Sequence, residues 1–139
     1  MKNNEIESVL KLKKLVFEKI NFERLGFRND KELELKIKSS ISESIDDFEG
    51  GKLYKVSLFL YGNKTGEYNF EIGLSGFFNI GSIDNLEDDL KNSLITKNSV
   101  AILMPYLRSQ VSILTAQPEV ECVVLPPFNI NNMLDSSKQ

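Results

Sequence analysis

The chain has 139 residues, of which 27% are charged and 41% are apolar, and its formal net charge is −3. This length and balance predict one domain with its own core, and they exclude a disordered chain and a membrane-inserted one. An acidic chain is not expected to bind nucleic acid. The single Cys122 cannot form an internal disulfide, and no apolar leader follows the first residues, so we expect a cytoplasmic protein.

The first predicted strand, over residues 8–23, has an apolar face that changes twice. Leu10 and Leu15 fall on opposite parities, and Ile20 returns to the first parity. Side chains alternate between the two faces of a strand, so a double change of parity predicts a bulged or bent strand.

Three further strands are predicted by alternation of apolar and polar residues, over 32–41, 54–61 and 68–74. Turns are predicted at Gly50–Gly51 and within 62–66, where glycine allows the reversal of the chain. Four strands joined by short connections predict one antiparallel sheet that is apolar on one side.

A short acidic helix is predicted from Asp84, which has Glu87 three residues later as in a capping box, to about Leu94. A longer helix follows, and Pro105 predicts a kink or an offset within it. Its main apolar stripe repeats every three or four residues: Val100, Leu103, Leu107, Val111 and Leu114.

The same helix carries a second apolar strip, formed by Ile102, Tyr106 and Ile113. One sheet and one long helix predict a two-layer α+β domain. The helix covers only part of the apolar sheet face, and its second strip has no partner in this arrangement. We therefore expect subunits to associate and bury both surfaces.

Beyond the helix, residues 120–125 are expected to be extended and apolar, and Pro126–Pro127 prevents a regular continuation. Residues 128–134 have room for a helix of at most two turns, and residues 135–139 form a polar tail. The prediction is a single domain over 1–139 with an ordered core at about 8–134.

No combination of residues predicts catalysis. The chain has no histidine, which removes the commonest general base and metal ligand. Cys122 lies in the mainly apolar segment 120–125 and is expected to be a buried structural thiol. The carboxylates from Asp84 to Asp89 are expected to be a solvated helix start, and the glycines lack the spacing of a phosphate-binding loop. We expect neither an enzyme nor a bound metal or cofactor.

Two segments resemble the SecB family of protein-export chaperones. Residues 104–109 read Met-Pro-Tyr-Leu-Arg-Ser, and residues 125–130 read Leu-Pro-Pro-Phe-Asn-Ile, which is similar to the family's helix and the loop after it. Residues 20–23 and 76–80 resemble the ends of the family's first and fourth strands. The resemblance covers about residues 9–134.

The resemblance implies a homotetramer, a dimer of dimers, with the long helices between two sheets. The residues expected at the oligomer interface are Ile102, Leu103, Tyr106, Leu107, Gln110 and Ile113. The resemblance also implies an apolar groove for unfolded clients. The residues expected to bind clients are Phe22, Leu25, Phe27, Leu33, Leu35, Ile37, Leu125, Phe128, Ile130, Met133 and Leu134.

In the family, acidic residues on the outer sheet face dock the translocase motor SecA, and Glu23 and Glu71 match two of these positions. Lys19 departs from the acidic pattern. The connection between the first two strands, at about residues 24–30, is several residues shorter than its counterpart in the family. The sequence therefore leaves SecA docking open.

The resemblance predicts an ATP-independent chaperone that holds non-native polypeptides, with delivery of preproteins to SecA as a further step. Three alternatives remain open: a dedicated chaperone for the antitoxin of a toxin–antitoxin pair, a structural adaptor with one fixed partner, and a small-molecule or lipid carrier with a closed cavity.

Overall fold

The computed structural model describes residues 10–44, 52–80 and 88–126. In these ranges the chain forms the four predicted strands and one long helix. The elements are β1 (Leu10–Arg24), β2 (Leu33–Ser44), β3 (Lys52–Lys64), β4 (Tyr68–Ile80) and α1 (Asp88–Thr115). The predicted turn at Gly50–Gly51, the residues 84–87 of the predicted short helix, and residues 127–139 lie outside the described residues.

The four strands form one antiparallel sheet in the order β1-β4-β3-β2. Consecutive strands β2, β3 and β4 are neighbours, whereas β1 and β2 lie at opposite edges. Residues 25–32, the crossover connection, therefore pass from one edge of the sheet to the other across the end of the β3–β4 hairpin. This path brings the connection against the turn Thr65–Glu67.

Two bulges explain the changing parity of β1. The register with β4 shifts between Leu12 and Lys14 and again between Phe17 and Lys19, so Lys13 and Glu18 are extra residues. An extra residue returns the following side chains to the same face. Each of the three parts of β1 therefore places apolar residues on the same face of the sheet, as Leu10, Leu15 and Ile20 show, and the predicted bulges are confirmed.

The apolar face of the sheet is the core of the molecule. Alternate residues of the two central strands are almost fully buried, as their alternation predicted. The largest of these side chains are Tyr54, Leu58, Leu60, Tyr68, Phe70, Ile72, Leu74 and Phe78. The apolar residues of the edge strands β1 and β2 are covered less completely, because α1 lies mainly against the central strands β4 and β3.

α1 packs closely on the sheet at Gly76. A Cβ atom at Gly76 would stand 2.7 Å from Leu103 Cδ2 and 2.8 Å from Phe78 Cε2, so the absence of a side chain allows the helix to approach the sheet. The predicted stripe is confirmed, since Val100, Leu103, Leu107 and Val111 are fully buried and Leu114 packs at the edge of the core.

α1 differs from the prediction in one respect. It is continuous from Asp88, so the predicted boundary near Leu94 between a short helix and a long one is wrong. Pro105 lies within the helix, on its exposed side, and the kink or offset expected there stays a prediction.

The β3–β4 hairpin reverses later than predicted. β3 continues through Gly62 and Asn63 to Lys64, and the turn comprises Thr65–Glu67. Gly62 is required within the strand because a Cβ atom there would collide with the ring of Phe70. Gly66 supplies the positive φ of 79° that the turn needs.

After α1 the chain turns back along the helix. Residues 121–126, the C-terminal segment, form no regular element, and their backbone is hydrogen-bonded to helix side chains. Ser112 Oγ donates to Val123 O at 2.9 Å, and Val123 N donates to Thr115 Oγ1 at 2.8 Å. Cys122 is exposed in this segment, so the prediction of a buried thiol is wrong.

Candidate client-binding surface

The crossover connection is tied to the β3–β4 turn through its backbone. Leu25 N and Gly26 N both donate to Glu67 O, at 2.8 Å and 3.2 Å. A Cβ atom at Gly26 would collide with Gly66 O, so only glycine permits this approach. The two glycines thus allow two backbone segments to pass in direct contact.

A buried ion pair fixes the middle of the connection. Lys64 Nζ lies 2.9 Å from Glu67 Oε1, and neither side chain is more than 8% exposed. Glu67 Oε1 also accepts from Asn29 N at 2.8 Å, while Lys64 Nζ donates to Asn29 O at 3.0 Å. The pair therefore holds both polar groups of the Asn29 backbone. Lys64, Glu67 and Asn29 together are called the polar clamp below.

The charge state of Glu67 follows from these contacts. Burial alone would raise the pKa of Glu67, but the hydrogen bonds from Lys64 and from Asn29 N, with the nearby Arg24 charge, lower it below its ordinary value. Glu67 is therefore ionised in the folded protein at neutral pH, as the ion pair requires.

The Asn29 side chain adds two bonds. Its Nδ2 donates to Thr65 O at 2.9 Å, and its Oδ1 accepts from Lys31 N at 3.0 Å. The first bond joins the connection to the turn once more, and the second orders the chain as it approaches β2.

Apolar side chains project from this fixed connection. Phe27 is 92% exposed and Leu25 is 50% exposed. Phe22, at the end of β1, is half-buried and stacks on Tyr68 with ring centroids 5.1 Å apart. On the edge strand β2, Leu35 is exposed and Leu33 and Ile37 are half-buried.

The structure places the predicted client-binding residues in two groups and leaves a third undescribed. The first group lies on the connection and on the strands that it joins, and is called the crossover surface below. It comprises Phe22, Leu25, Phe27, Leu33, Leu35 and Ile37. Leu125 is separate and buried, because it joins the core while its carbonyl accepts from Arg108 Nε at 3.0 Å. Leu125 is therefore a core residue, and Phe128, Ile130, Met133 and Leu134 lie outside the described residues.

A second apolar surface lies on the solvent side of α1. Ile113 is 65% exposed and Val124 is 77% exposed, and both line an open groove of about 490 Å³ between α1 and the C-terminal segment. Arg108 and Ser112 line the same groove. Since each also bonds the backbone of the C-terminal segment, the groove has a defined shape.

The predicted oligomer-interface residues divide according to burial. Tyr106 and Ile113 are exposed, and Ile102 and Gln110 are half-buried. Leu103 and Leu107 are fully buried against the sheet, so they are core residues and offer no area to a second subunit. The interface prediction therefore depends on the four residues with exposed surface.

The outer face of the sheet is polar, with three aromatic residues, Phe59, Tyr61 and Phe77. Glu71 forms an ion pair with Lys19, which raises the pKa of Lys19, and Glu23 lies opposite Asn69 in the register. Both predicted SecA-facing residues thus lie on this face, beside an open depression of about 740 Å³ that they help to line.

A polar network crosses the outer face beside the second bulge of β1. Ser75 Oγ donates to Glu18 Oε1 and lies 2.7 Å from Ser57 Oγ, and Lys55 Nζ lies 3.1 Å from Glu18 Oε1. The Ser75 hydrogen bond, followed by Lys55, lowers the pKa of Glu18. The network satisfies the polar groups of buried serines and needs no ligand.

The sequence did not predict the three residues of the polar clamp, Lys64, Glu67 and Asn29. A lysine and a glutamate around a glycine turn normally indicate a solvated hairpin end. Their burial results from the crossover connection, which is distant in sequence.

Among the residues that the structure describes, no group of carboxylates and cysteine has the arrangement of a metal site. Within the same ranges, no helix has the length and apolar character needed to cross a membrane.

Comparison with known proteins identifies the fold. No protein-family model matches the sequence. A SecB-like chaperone of Mycobacterium tuberculosis, solved in complex with an antitoxin peptide, superimposes with a TM-score of 0.64 over 91% of this chain and 96% of that chain, at 11% sequence identity. The chain has a SecB-like fold. The resemblance of the sequence to SecB is thus confirmed at the level of the fold, as is the predicted sheet with one long helix.

Two other relatives have no assigned activity. A protein of unknown function from Streptococcus agalactiae gives a TM-score of 0.51 over 85% of this chain and 97% of that chain, at 13% identity. An uncharacterized protein of Methanocaldococcus jannaschii is 49% identical over 37 residues, which are 27% of this chain and 24% of that protein. The match to this curated relative thus spans about a quarter of its length.

Proposed function

We propose that this protein is an ATP-independent chaperone that holds non-native polypeptides, including preproteins, on the crossover surface. The observation that carries the proposal is Phe27, whose ring is 92% exposed on a connection that hydrogen bonds hold in place. The exposed Leu25 on the same connection extends this apolar surface, and exposed apolar surface that several side chains share is typical of an interaction site.

The chemistry of holding requires only burial and backbone pairing. Apolar side chains of an unfolded client lose contact with water on Phe27, Leu25 and Leu35, at roughly 25 cal/mol per Å² of apolar surface. The edge strand β2 adds backbone donors and acceptors beside these side chains, which suits an extended client segment. Such contacts are weak singly and do not depend on client sequence, so neither ATP nor bond-making is needed.

The experiment is suppression of aggregation. The purified protein, at stoichiometric amounts and without nucleotide, is mixed with a slowly folding preprotein and separately with an unrelated unfolded protein. We expect protection of both, and loss of protection with Leu25→Ser/Phe27→Ser. The control is Phe59→Ser, which removes an exposed aromatic from the outer face. No protection by the wild-type protein would contradict the proposal.

A dedicated antitoxin chaperone is the second candidate, because the SecB-like structure that superimposes on this chain contains an antitoxin peptide. In that case the protein would protect one partner encoded near it and would leave unrelated unfolded proteins to aggregate. A permanent complex with one partner, isolated by co-purification, would instead indicate a structural adaptor.

Assembly as a dimer of dimers belongs to the same proposal. The exposed strip of Ile102, Tyr106 and Ile113 is the surface that a second subunit would cover. Light scattering at micromolar concentration should give the mass of a tetramer, and a sharp monomer would contradict this assembly. Docking to SecA would use Glu23 and Glu71, and the pairing of Glu71 with Lys19 argues for weak docking at best.

A further inference from the structure

We propose that the Lys64–Glu67 pair positions the client-binding connection: the pair holds Phe27 away from the protein so that the ring is available to a client. This inference rests on the proposed function and assigns a role at the same surface to two buried charged residues. Neither residue contacts the client. Each acts through the backbone of Asn29, two residues from Phe27.

The geometry supports this role because the pair holds the backbone of one residue, Asn29, at both its N–H and its carbonyl. Glu67 accepts the N–H of Asn29 and Lys64 donates to its carbonyl, at 2.8 Å and 3.0 Å, while the two side chains lie 2.9 Å apart. Glu67, Asn29 and Lys64 are thus joined pairwise, and moving any one of them breaks at least one of these bonds. On the other side of Phe27, Leu25 N and Gly26 N are bonded to Glu67 O. Phe27 is therefore at the tip of a short loop that is held at both ends.

Stability alone does not require two charged residues at this location. A buried ion pair can often be replaced by apolar residues of similar size without loss of stability. What an apolar pair cannot do is hold an N–H and a carbonyl in fixed directions, since it offers no hydrogen-bond partners. The pair therefore specifies where the connection lies.

The exposure of Phe27 is the property that this placement maintains. The ring would lose contact with water by folding against apolar side chains at the same end of the sheet, such as Phe22 and Leu25, and the hydrophobic effect favours that collapse. A connection without the clamp would be free to collapse in this way. The clamp prevents collapse, so the ring is available to a client without a prior opening step, which would otherwise reduce the apparent affinity.

The first test measures the position of the connection directly. The chain has no tryptophan, so Phe27→Trp introduces a single reporter at the tip of the loop. The clamp is removed by Lys64→Met/Glu67→Leu, which keeps similar side-chain size. We expect the reporter emission to shift to shorter wavelength, with lower acrylamide quenching, as the ring collapses onto the protein. The matched control is Lys55→Met/Glu18→Leu, the same two substitutions in the ion pair on the outer face, and it should leave the reporter unchanged.

The second test measures client affinity in a double-mutant cycle. The probe is reduced and carboxymethylated lactalbumin, which is permanently unfolded, carrying a fluorophore whose anisotropy reports binding. We expect Phe27→Ala to weaken binding about tenfold, as loss of one buried aromatic contact predicts. The clamp variant should weaken it by a similar factor, and the two changes together should cost no more than either alone.

The outcomes separate the two proposals. Additive losses, or a clamp variant that binds as tightly as the wild-type protein, would overturn positioning and leave the chaperone function intact. If the wild-type protein does not bind the unfolded probe, the proposed function fails, and the reporter spectra then decide the clamp alone. An unchanged reporter in the clamp variant would overturn the inference in every case.

Discussion

The two ends of the sheet are held by different forces. At one end α1 packs on the sheet through apolar contacts, with Leu103 above Gly76. At the other end the polar clamp joins the crossover connection to the β3–β4 turn through a buried ion pair. Apolar packing has little directional preference, whereas hydrogen bonds between charged and backbone groups have a strict one. The helix end therefore supplies stability, and the clamp end places a loop.

The largest effect should come from removing one member of the clamp pair. Glu67→Leu leaves the buried Lys64 charge without its partner, and we expect a loss of about 3–5 kcal/mol in the free energy of unfolding measured with urea. Adding Lys64→Met should restore most of that loss. If the double variant is as unstable as the single one, the clamp contributes stability itself and the contrast between the two ends is wrong.

A core truncation at the helix end should reduce the free energy of unfolding by a similar amount, and no second substitution of a charged residue should restore it. Leu103→Ala leaves a cavity between α1 and Gly76, and we expect it to cost about 2–5 kcal/mol. The matched measurement is the exposure of the Phe27→Trp reporter in this background, at a urea concentration where the variant is still folded. The reporter should be unaffected, since the connection is held at the other end.

Acidification should remove the stability that the ionised Glu67 contributes. The pKa of Glu67 in the folded state lies below the ordinary value of 4.5, so its contribution to stability is present above that ordinary value and is lost as pH falls through the lower folded pKa. Glu18 adds a contribution of the same sign. The urea midpoint of the wild-type protein should therefore fall below about pH 4.5, and the fall should be smaller in Lys64→Met/Glu67→Leu. Equal falls in both proteins would show that Glu67 is not responsible.

The smallest effect should come from a single hydrogen bond at the helix end. Thr115→Val removes the acceptor of Val123 N, and we expect a loss of about 1 kcal/mol. Hydrogen exchange at Val123 should accelerate, because the C-terminal segment has lost one of its attachments to α1. Unchanged exchange would show that the other bonds to the helix suffice.

Most of the fold follows from patterns that are local in sequence. The parity changes of β1 predicted its bulges, and the repeat from Val100 to Val111 predicted the buried side of α1. These patterns succeed because the period of the backbone decides which side chains share a face. The later hairpin turn and the continuous helix were missed because local signals near Gly62 and Leu94 do not decide where an element ends.

The candidate site was predictable only in part. The exposed residues Leu25 and Phe27 were identified through the resemblance of the sequence to the SecB family. The clamp was not, since the burial of Lys64 and Glu67 depends on a connection that lies about 35 residues away in sequence. The exposure of Cys122 was missed for the opposite reason: its apolar neighbours suggested a buried segment, but only some residues of that segment pack on the core.

The most direct test of the account is photo-cross-linking to an unfolded client. Benzoylphenylalanine replaces Phe27 in one variant and Phe59, on the outer face of the sheet, in another. With a fluorescent unfolded polypeptide present, irradiation should cross-link the client to the first variant and leave the second essentially free. Cross-linking at the Phe59 position alone, or at neither position while aggregation is still suppressed, would contradict the assignment of client binding to the crossover surface.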